Sequence, residues 1–214
     1  MTTLYGYFRS SAAYRVRIAL NLKNLTYDQA PINLVKGEQR DDAFLTHNPQ
    51  GLVPMLMTDN GIRLTQSLAI CEYLDERYPE PALLPIELEA RARVRALSQA
   101  VACEIHPLNN LRVLKYLVNE LEVDDDAKFA WYRHWIHQGF AALETMLSRE
   151  AGSGDFCHGD APTLADVCLV PQVFNAERFE CDLSAYPRIR RITENARALD
   201  AFRVAAPGEQ PDAN

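Results

Sequence analysis

Three prolines within nine residues, Pro79, Pro81 and Pro85, break this chain at the point where its hydrophobic pattern changes. Each lacks an amide donor and fixes φ, so no helix runs through Pro79 to Glu87, and the segment reads as a linker. Before it, short strand-like and helix-like runs alternate. Leu4 to Tyr7 is β-prone. Behind Ser10 and Ser11, the residues Ala12, Val16, Ala19 and Leu20 recur at i, i+4, i+7 and i+8, which puts four apolar groups on one helix face. Tyr27 to Leu34 reads as a second strand. Met55–Met57 and Ile62–Leu64 flank Asp59-Asn60-Gly61, a strong hairpin signal. A further helix carries Ile70, Tyr73, Leu74 and Tyr78 on one side. The predicted order is β-α-β, a loop at Asn48 to Val53, then β-β-α.

Beyond the linker every periodic stretch is helical. Leu88 to Leu121 is one long run kinked at Pro107. Ala127 to Ala151 follows with Trp131, Trp135, Phe140 and Leu143 as anchors, then Leu164 to Phe179 and Pro187 to about Leu199. A glycine-containing loop covers Gly152 to Gly159, and the polarity of Pro207 to Asn214 predicts a mobile tail. The fold class is therefore α/β followed by all-α, with domains at 1–80 and 87–214 and a linker at 81–86.

Length and composition narrow the function classes. At roughly 150 residues per domain, a chain of 214 residues accommodates one large domain or two small ones. Hydrophobic residues make up 48% and charged residues 24%, which excludes wholesale disorder. A net charge of -7 argues against a nucleic-acid partner, which needs clustered Lys and Arg. No apolar run approaches the roughly 18 residues of a membrane span. The five cysteines, Cys71, Cys103, Cys157, Cys168 and Cys181, are odd in number and widely spaced, so free thiols in a reducing cytosol are expected, with no disulfide framework and no metal site.

Several residues carry chemistry on their position alone. Arg9-Ser10-Ser11 stands where a strand passes into a helix, a place whose unpaired amides favour an anion, a thiolate included; a plain serine cap is the alternative. Val53-Pro54 precedes a strand, and a cis bond there would turn the Val53 backbone outward for an extended peptide, whereas a trans bond would make it an ordinary strand start. Gln66-Ser67 opens the next helix, as a second anion site or a second cap. His106 and Asn110 lie four apart beside Pro107, functional or merely packed. Arg178 ends an apolar helix, either as a carboxylate clamp or in a salt bridge to Glu177 or Glu180. Thr163 and Asp166 form a capping box that serves folding rather than catalysis.

The run Arg9-Ser10-Ser11-Ala12-Ala13-Tyr14-Arg15-Val16-Arg17-Ile18-Ala19-Leu20 resembles the Ser-Ser-Cys-x-Trp-Arg-Val-Arg-Ile-Ala-Leu stretch of zeta-class glutathione transferases, the class that includes maleylacetoacetate isomerase. Asn48-Pro49-Gln50-Gly51-Leu52-Val53-Pro54, Gln66-Ser67-Leu68-Ala69-Ile70, Leu169-Val170-Pro171-Gln172-Val173 and Gln210-Pro211-Asp212 match as well, so the resemblance spans nearly the whole chain. It implies a thioredoxin-like domain followed by a helical domain, a cytoplasmic homodimer, and glutathione as cofactor. Ser10 and Ser11, with Arg9, would carry catalysis. Ala12, Arg15, Gln39, Gln50, Val53, Gln66 and Ser67 would contact glutathione, joined by His106, Asn110, Leu111 and Arg112 from the helical domain. Arg9 and Arg178 would bind a keto-acid or dicarboxylate substrate. Ala12 replaces the class's cysteine, so thiolate stabilisation would fall to a serine hydroxyl and the helix terminus. The implied reaction is cis-trans isomerisation in aromatic amino-acid catabolism. The alternatives are maleylpyruvate isomerisation, conjugation or dehalogenation of small acids, and a non-catalytic adaptor.

Overall fold

The computed structural model describes residues 1–149 and 152–213. Two units make up the chain, Met1–Leu83 with Ala198–Asn214, and Leu84–Arg197. In the first unit, β1 (Thr3–Gly6) leads into α1 (Ser11–Leu22), β2 (Asp28–Pro31), the short α2 (Asp42–Leu45), β3 (Met55–Met57), β4 (Arg63–Thr65) and α3 (Ser67–Arg77). The strands form one sheet in the order β2-β1-β3-β4. β1 pairs parallel with β2, Leu4 opposite Gln29, and antiparallel with β3, Leu4 opposite Leu56. β3 and β4 form the expected hairpin, and Gly61 takes φ 76° in its loop. The arrangement is thioredoxin-like, with β2 shorter than the predicted Tyr27 to Leu34.

Helix α1 departs from the amphipathic expectation. Nine of its residues are buried, including Arg15 at 1% and Arg17 at 2% exposure. It packs into the same core as Leu4, Met55, Leu56, Ile70 and Leu74. The linker is held on this unit as far as Leu83. The Nζ of buried Lys23 donates to Asp75 at 2.7 Å and to the Pro81 carbonyl, and Asp75 also accepts from the Leu83 amide at 2.7 Å.

Two expectations are corrected at the C-terminus. The chain from Ala198 groups with the first unit, not with the helical one. Its last turn is also anchored rather than mobile: Gln210 is 5% exposed and donates to the carbonyls of Val204 and Ala206 at 2.9 and 2.8 Å, while the Phe8 amide donates to Asp212 at 2.9 Å. The polarity that suggested mobility is the polarity of these hydrogen-bonding groups.

The second unit is helical: α4 (Leu88–Gln99), α5 (Leu111–Asn119), α6 (Asp125–Arg149), α7 (Leu164–Arg178) and α8 (Pro187–Arg197). The long run predicted for Leu88 to Leu121 is interrupted well before Pro107. After Gln99 the backbone winds wider through Ala100–Ile105, tightens over His106–Asn109 and restarts at Leu111. Pro107 has no amide to give the carbonyl a turn behind, so the regular ladder stops ahead of it. The expected end of α6 at Ala151 lies outside the described residues. Val94, Leu97, Ile105, Ile136, Phe140, Val167, Val170 and Ile189 fill this unit's core. In the first unit, α9 (Asp200–Arg203) completes the list of helices.

The capping box is present. Asp166, fully buried, accepts from the Thr163 amide at 2.8 Å and its hydroxyl at 2.9 Å, and also from the Cys157 amide at 2.8 Å. Burial pushes its carboxyl up, against the pull of these donors.

Candidate functional site

The first unit gathers two helix N-termini and one loop. Ser10 caps α1: its backbone is extended, its Oγ accepts from the Ala13 amide at 3.2 Å, and its carbonyl accepts from Tyr14 at 2.8 Å. Capping uses a lone pair of the Ser10 oxygen and leaves its O–H free to donate outward. Ser11 is 5% exposed and already engaged inside the fold. Ser10, half-buried, is thus the serine that can reach a ligand at the start of α1. The first turn of α1 holds no acidic residue, so its positive end is not offset locally. Ala12, in that turn, brings only a methyl group. Arg9 donates to the Tyr7 hydroxyl at 3.0 Å and lies over the Phe8 ring at 4.9 Å.

The turn that presents these residues is held on both sides. The Ser10 amide donates to the Tyr7 carbonyl at 2.9 Å. Buried Arg17 donates to the Phe8 carbonyl at 2.9 Å, and burial lowers its pKa to about 10.

The second N-terminus belongs to α3. Gln66 precedes it with φ 68° and ψ 113°, a conformation that non-glycine residues rarely adopt and that marks stored backbone strain. Its exposed side chain donates to Gln50 at 3.0 Å, joining two residues that the sequence singled out. Ser67 is the first residue of α3, and Arg15 donates to its Oγ at 3.2 Å. Arg15, expected at the ligand, is 1% exposed and stands behind Ser67.

The loop between these helices carries the backbone groups. Val53-Pro54 is cis, and among the described residues Val53 makes no backbone hydrogen bond. Gly51 takes φ 60°, and a Cβ there would come within 2.9 Å of the Gln39 carbonyl, so glycine lets Gln39 and the Gln50–Val53 loop approach. Gln39 Oε1, Arg15 Nε and Arg15 Nη2 are buried polar atoms with no partner among the described residues. Orphaned atoms of this kind concentrate where a ligand is bound. Two anion-favouring helix starts, a bend at Val53 whose backbone groups are unpaired and amide side chains beside it offer the kinds of group that an anionic, peptide-like ligand needs.

The remaining predicted residues lie in the second unit. His106 opens the tight turn ahead of α5, and Asn110 caps α5 by accepting from the Arg112 amide at 3.1 Å. Leu111 and Arg112 are exposed. Arg178 is exposed at the end of α7, over the Phe179 ring at 4.9 Å, while both oxygens of Glu177 accept from Arg197 at 2.8 Å. Sequence reasoning missed Tyr7, Arg17 and Asp212 as supports of the Arg9–Ser10 turn. The terminal Gln210-Pro211-Asp212 match was the one signal for the last of these.

Two family models match, Glutathione S-transferase N-terminal domain over residues 4–82 and Glutathione S-transferase C-terminal domain over residues 129–195. The chain is 53% identical to a probable maleylacetoacetate isomerase of Vibrio cholerae, over 98% of its own length and 97% of the relative's. It superposes with a TM-score of 0.97 at 48% identity, over 99% of this chain and 100% of the other, on a maleylpyruvate isomerase described as a bacterial zeta-class glutathione S-transferase. A maleylacetoacetate isomerase of Methylobacterium extorquens with bound malonate and glutathione gives 0.96 at 45% identity, over 99% of each chain. On the strength of both sequence and architecture, the chain belongs to the glutathione S-transferase family, in its zeta class.

Proposed function

We propose that this protein is a glutathione-dependent cis-trans isomerase acting on maleylacetoacetate. The supporting observation is the whole-length similarity, at 53% identity, to a relative named for that activity. Bound glutathione would supply the thiolate that adds to the activated double bond and departs after rotation about the resulting single bond. The Ser10 hydroxyl and the α1 amides hold the sulfur ionised, and the side chain of residue 12, an alanine methyl, adds nothing to this task. Ser67, with Arg15 behind it, and Gln66 hold the γ-glutamyl end. Val53 pairs with the peptide backbone, and Gln50 and Gln39 flank it; His106, Asn110, Leu111 and Arg112, in the second unit, are further glutathione contacts by the family resemblance alone. Arg9 takes a substrate carboxylate, since a guanidinium fork matches a carboxylate, and Arg178 of the second unit is a separate candidate for the same chemistry.

Maleylpyruvate is the second substrate to consider, favoured by the superposition at TM-score 0.97 on a maleylpyruvate isomerase. The chemistry is the same for both, and the size of the keto-acid tail distinguishes them. A homodimer in the cytosol, acting in aromatic amino-acid catabolism, follows from the family resemblance and is checked by light scattering on the purified protein. The deciding experiment follows both substrates by absorbance with catalytic glutathione. Faster turnover of maleylacetoacetate is expected. Failure to bind glutathione at millimolar concentration would place the chain among non-catalytic adaptors.

A further inference from the structure

We propose that Asp212, in the C-terminal tail, is a positioning residue for the turn that carries Arg9 and Ser10. The Phe8 peptide units are gripped from two directions. The Phe8 amide donates to Asp212 Oδ2 at 2.9 Å, and the Phe8 carbonyl accepts from Arg17 Nη2 at 2.9 Å. Asp212 is delivered by a locked segment. Gln210, 5% exposed, donates to Val204 and Ala206 and accepts from Gln29 on β2 at 3.1 Å. Arg17 Nε donates to the Ala205 carbonyl at 2.9 Å, so the cation that holds Phe8 also holds the tail. Further back, Asn21 donates to Ala201 at 3.0 Å and Tyr14 to Phe202 at 3.3 Å. The last residues of the chain thus close a circuit, β2 to Gln210, Asp212 to Phe8, Phe8 to Arg17, Arg17 to Ala205.

This grip falls immediately before the two residues whose direction matters. With the Phe8 amide released, the peptide between Tyr7 and Phe8 loses the hold on its N–H side and keeps that on its carbonyl, from the Ser10 amide at 2.9 Å and Arg17 Nη1 at 3.5 Å. Arg9 and the Ser10 hydroxyl then lose their fixed aim, while Gln66, Ser67 and Arg15 are untouched. Loss of Asp212 therefore weakens ionisation of the bound sulfur without weakening the hold on the γ-glutamyl end. Its positioning role rests on the glutathione-dependent chemistry proposed above.

The test uses full-length protein carrying Asp212→Ala, with Asp212→Asn as the conservative variant that keeps an acceptor oxygen. Three quantities are read: hydrogen exchange at the Phe8 to Ser10 amides without ligand, glutathione affinity by calorimetry, and the pH dependence of thiolate absorbance in the complex. In Asp212→Ala, exchange should rise at least tenfold at these amides and stay unchanged across α3. Affinity measured where the thiol is protonated should hold within about twofold, turnover should fall about tenfold, and the thiol should ionise at higher pH. Asp212→Asn should recover most of each effect. Parent-like exchange and thiolate profile in Asp212→Ala overturns the proposal. So does exchange that rises evenly through the unit, which would make Asp212 a general stabiliser. Absence of glutathione binding in the parent defeats the functional reading, while the exchange measurement still decides whether Asp212 fixes the turn.

Discussion

Replacing Asp166 by alanine removes the acceptor of three hydrogen bonds at once. The donors are the amides of Cys157 and Thr163, both at 2.8 Å, and the Thr163 hydroxyl at 2.9 Å. Cys157 is 2% and Thr163 7% exposed, so water does not readily replace the lost carboxylate. An orphaned buried donor costs about 1–3 kcal/mol, and the hydroxyl can rotate to another acceptor, so the two amides dominate. Relief from burying a carboxylate, whose pKa burial already raises, offsets part of the loss. The expected net destabilisation is about 3 kcal/mol. For a chain of this length about 2–4 °C accompanies each kcal/mol, giving a fall in Tm of roughly 6–12 °C. Asp166→Asn keeps one acceptor oxygen and should lose about half as much. Calorimetric melting supplies the readout, with isomerase turnover at 20 °C measured alongside and expected to stay within twofold of the parent. A Tm within about 2 °C of the parent would refute the reasoning, and so would a large loss of turnover at unchanged Tm.

Ser10→Ala should lower turnover on the order of 100-fold by removing the donor aimed at the sulfur, at a cost of about 1 kcal/mol for the lost cap; a larger loss in Ser11→Ala by steady-state kinetics would reverse the assignment. Arg15→Met should weaken glutathione binding about tenfold by calorimetry, because Ser67 loses the donor that fixes its hydroxyl. Iodoacetamide followed by mass spectrometry should label exposed Cys103 and spare Cys71, Cys157, Cys168 and Cys181 until the chain unfolds; burial also pushes the Cys157 thiol up, away from its reactive form. Burial and neighbouring Arg93 lower the pKa of His158, so the unfolded chain takes up this proton first as pH falls through about 6.5, and stability is lost in that direction. His158→Gln should narrow the difference in Tm between pH 7.5 and 5.5.

Much of the fold was legible because it depends on period and punctuation. The hairpin at Asn60-Gly61, the helix starts at Ser10 and Gln66 and the proline linker each state a local backbone requirement, and the structure meets it. What escaped depends on partners far away in sequence. The tail from Pro207 looks solvated by composition, yet Gln210 and Asp212 are polar because they bind backbone groups of the first unit. The wide turn at Ala100–Ile105 was invisible because the residues there are ordinary helix formers, and only Pro107 downstream marks the break. At the site, the sequence singled out both serines but could not rank Ser10 against Ser11. Burial and the Ala13 amide separate them, and neither leaves a trace in composition.

The pair Arg15 and Arg17 shows how one helix can brace two separate ends of the first unit. Two residues apart, their side chains leave α1 about 200° apart around its axis and so face nearly opposite ways. By hydropathy both belong on the solvated side, yet both are buried. Arg15 reaches the first residue of α3 and fixes the hydroxyl of Ser67. Arg17 turns to the Phe8 carbonyl and to Ala205. One guanidinium thus stiffens the start of α3, and the other the turn ahead of α1. A rigid helix carries both, so the spacing between the two ends is set by α1 itself rather than by the loops it joins. Burying two cations in one helix is costly; neighbouring carbonyl oxygens meet Arg17, whereas Arg15 has the Ser67 oxygen and two nitrogens without a partner among the described residues. Lysine at either position would bring a single point of charge in place of a planar fork. At position 17 that fork spans two carbonyls that lie nearly 200 residues apart in sequence, and lysine could satisfy only one of them well.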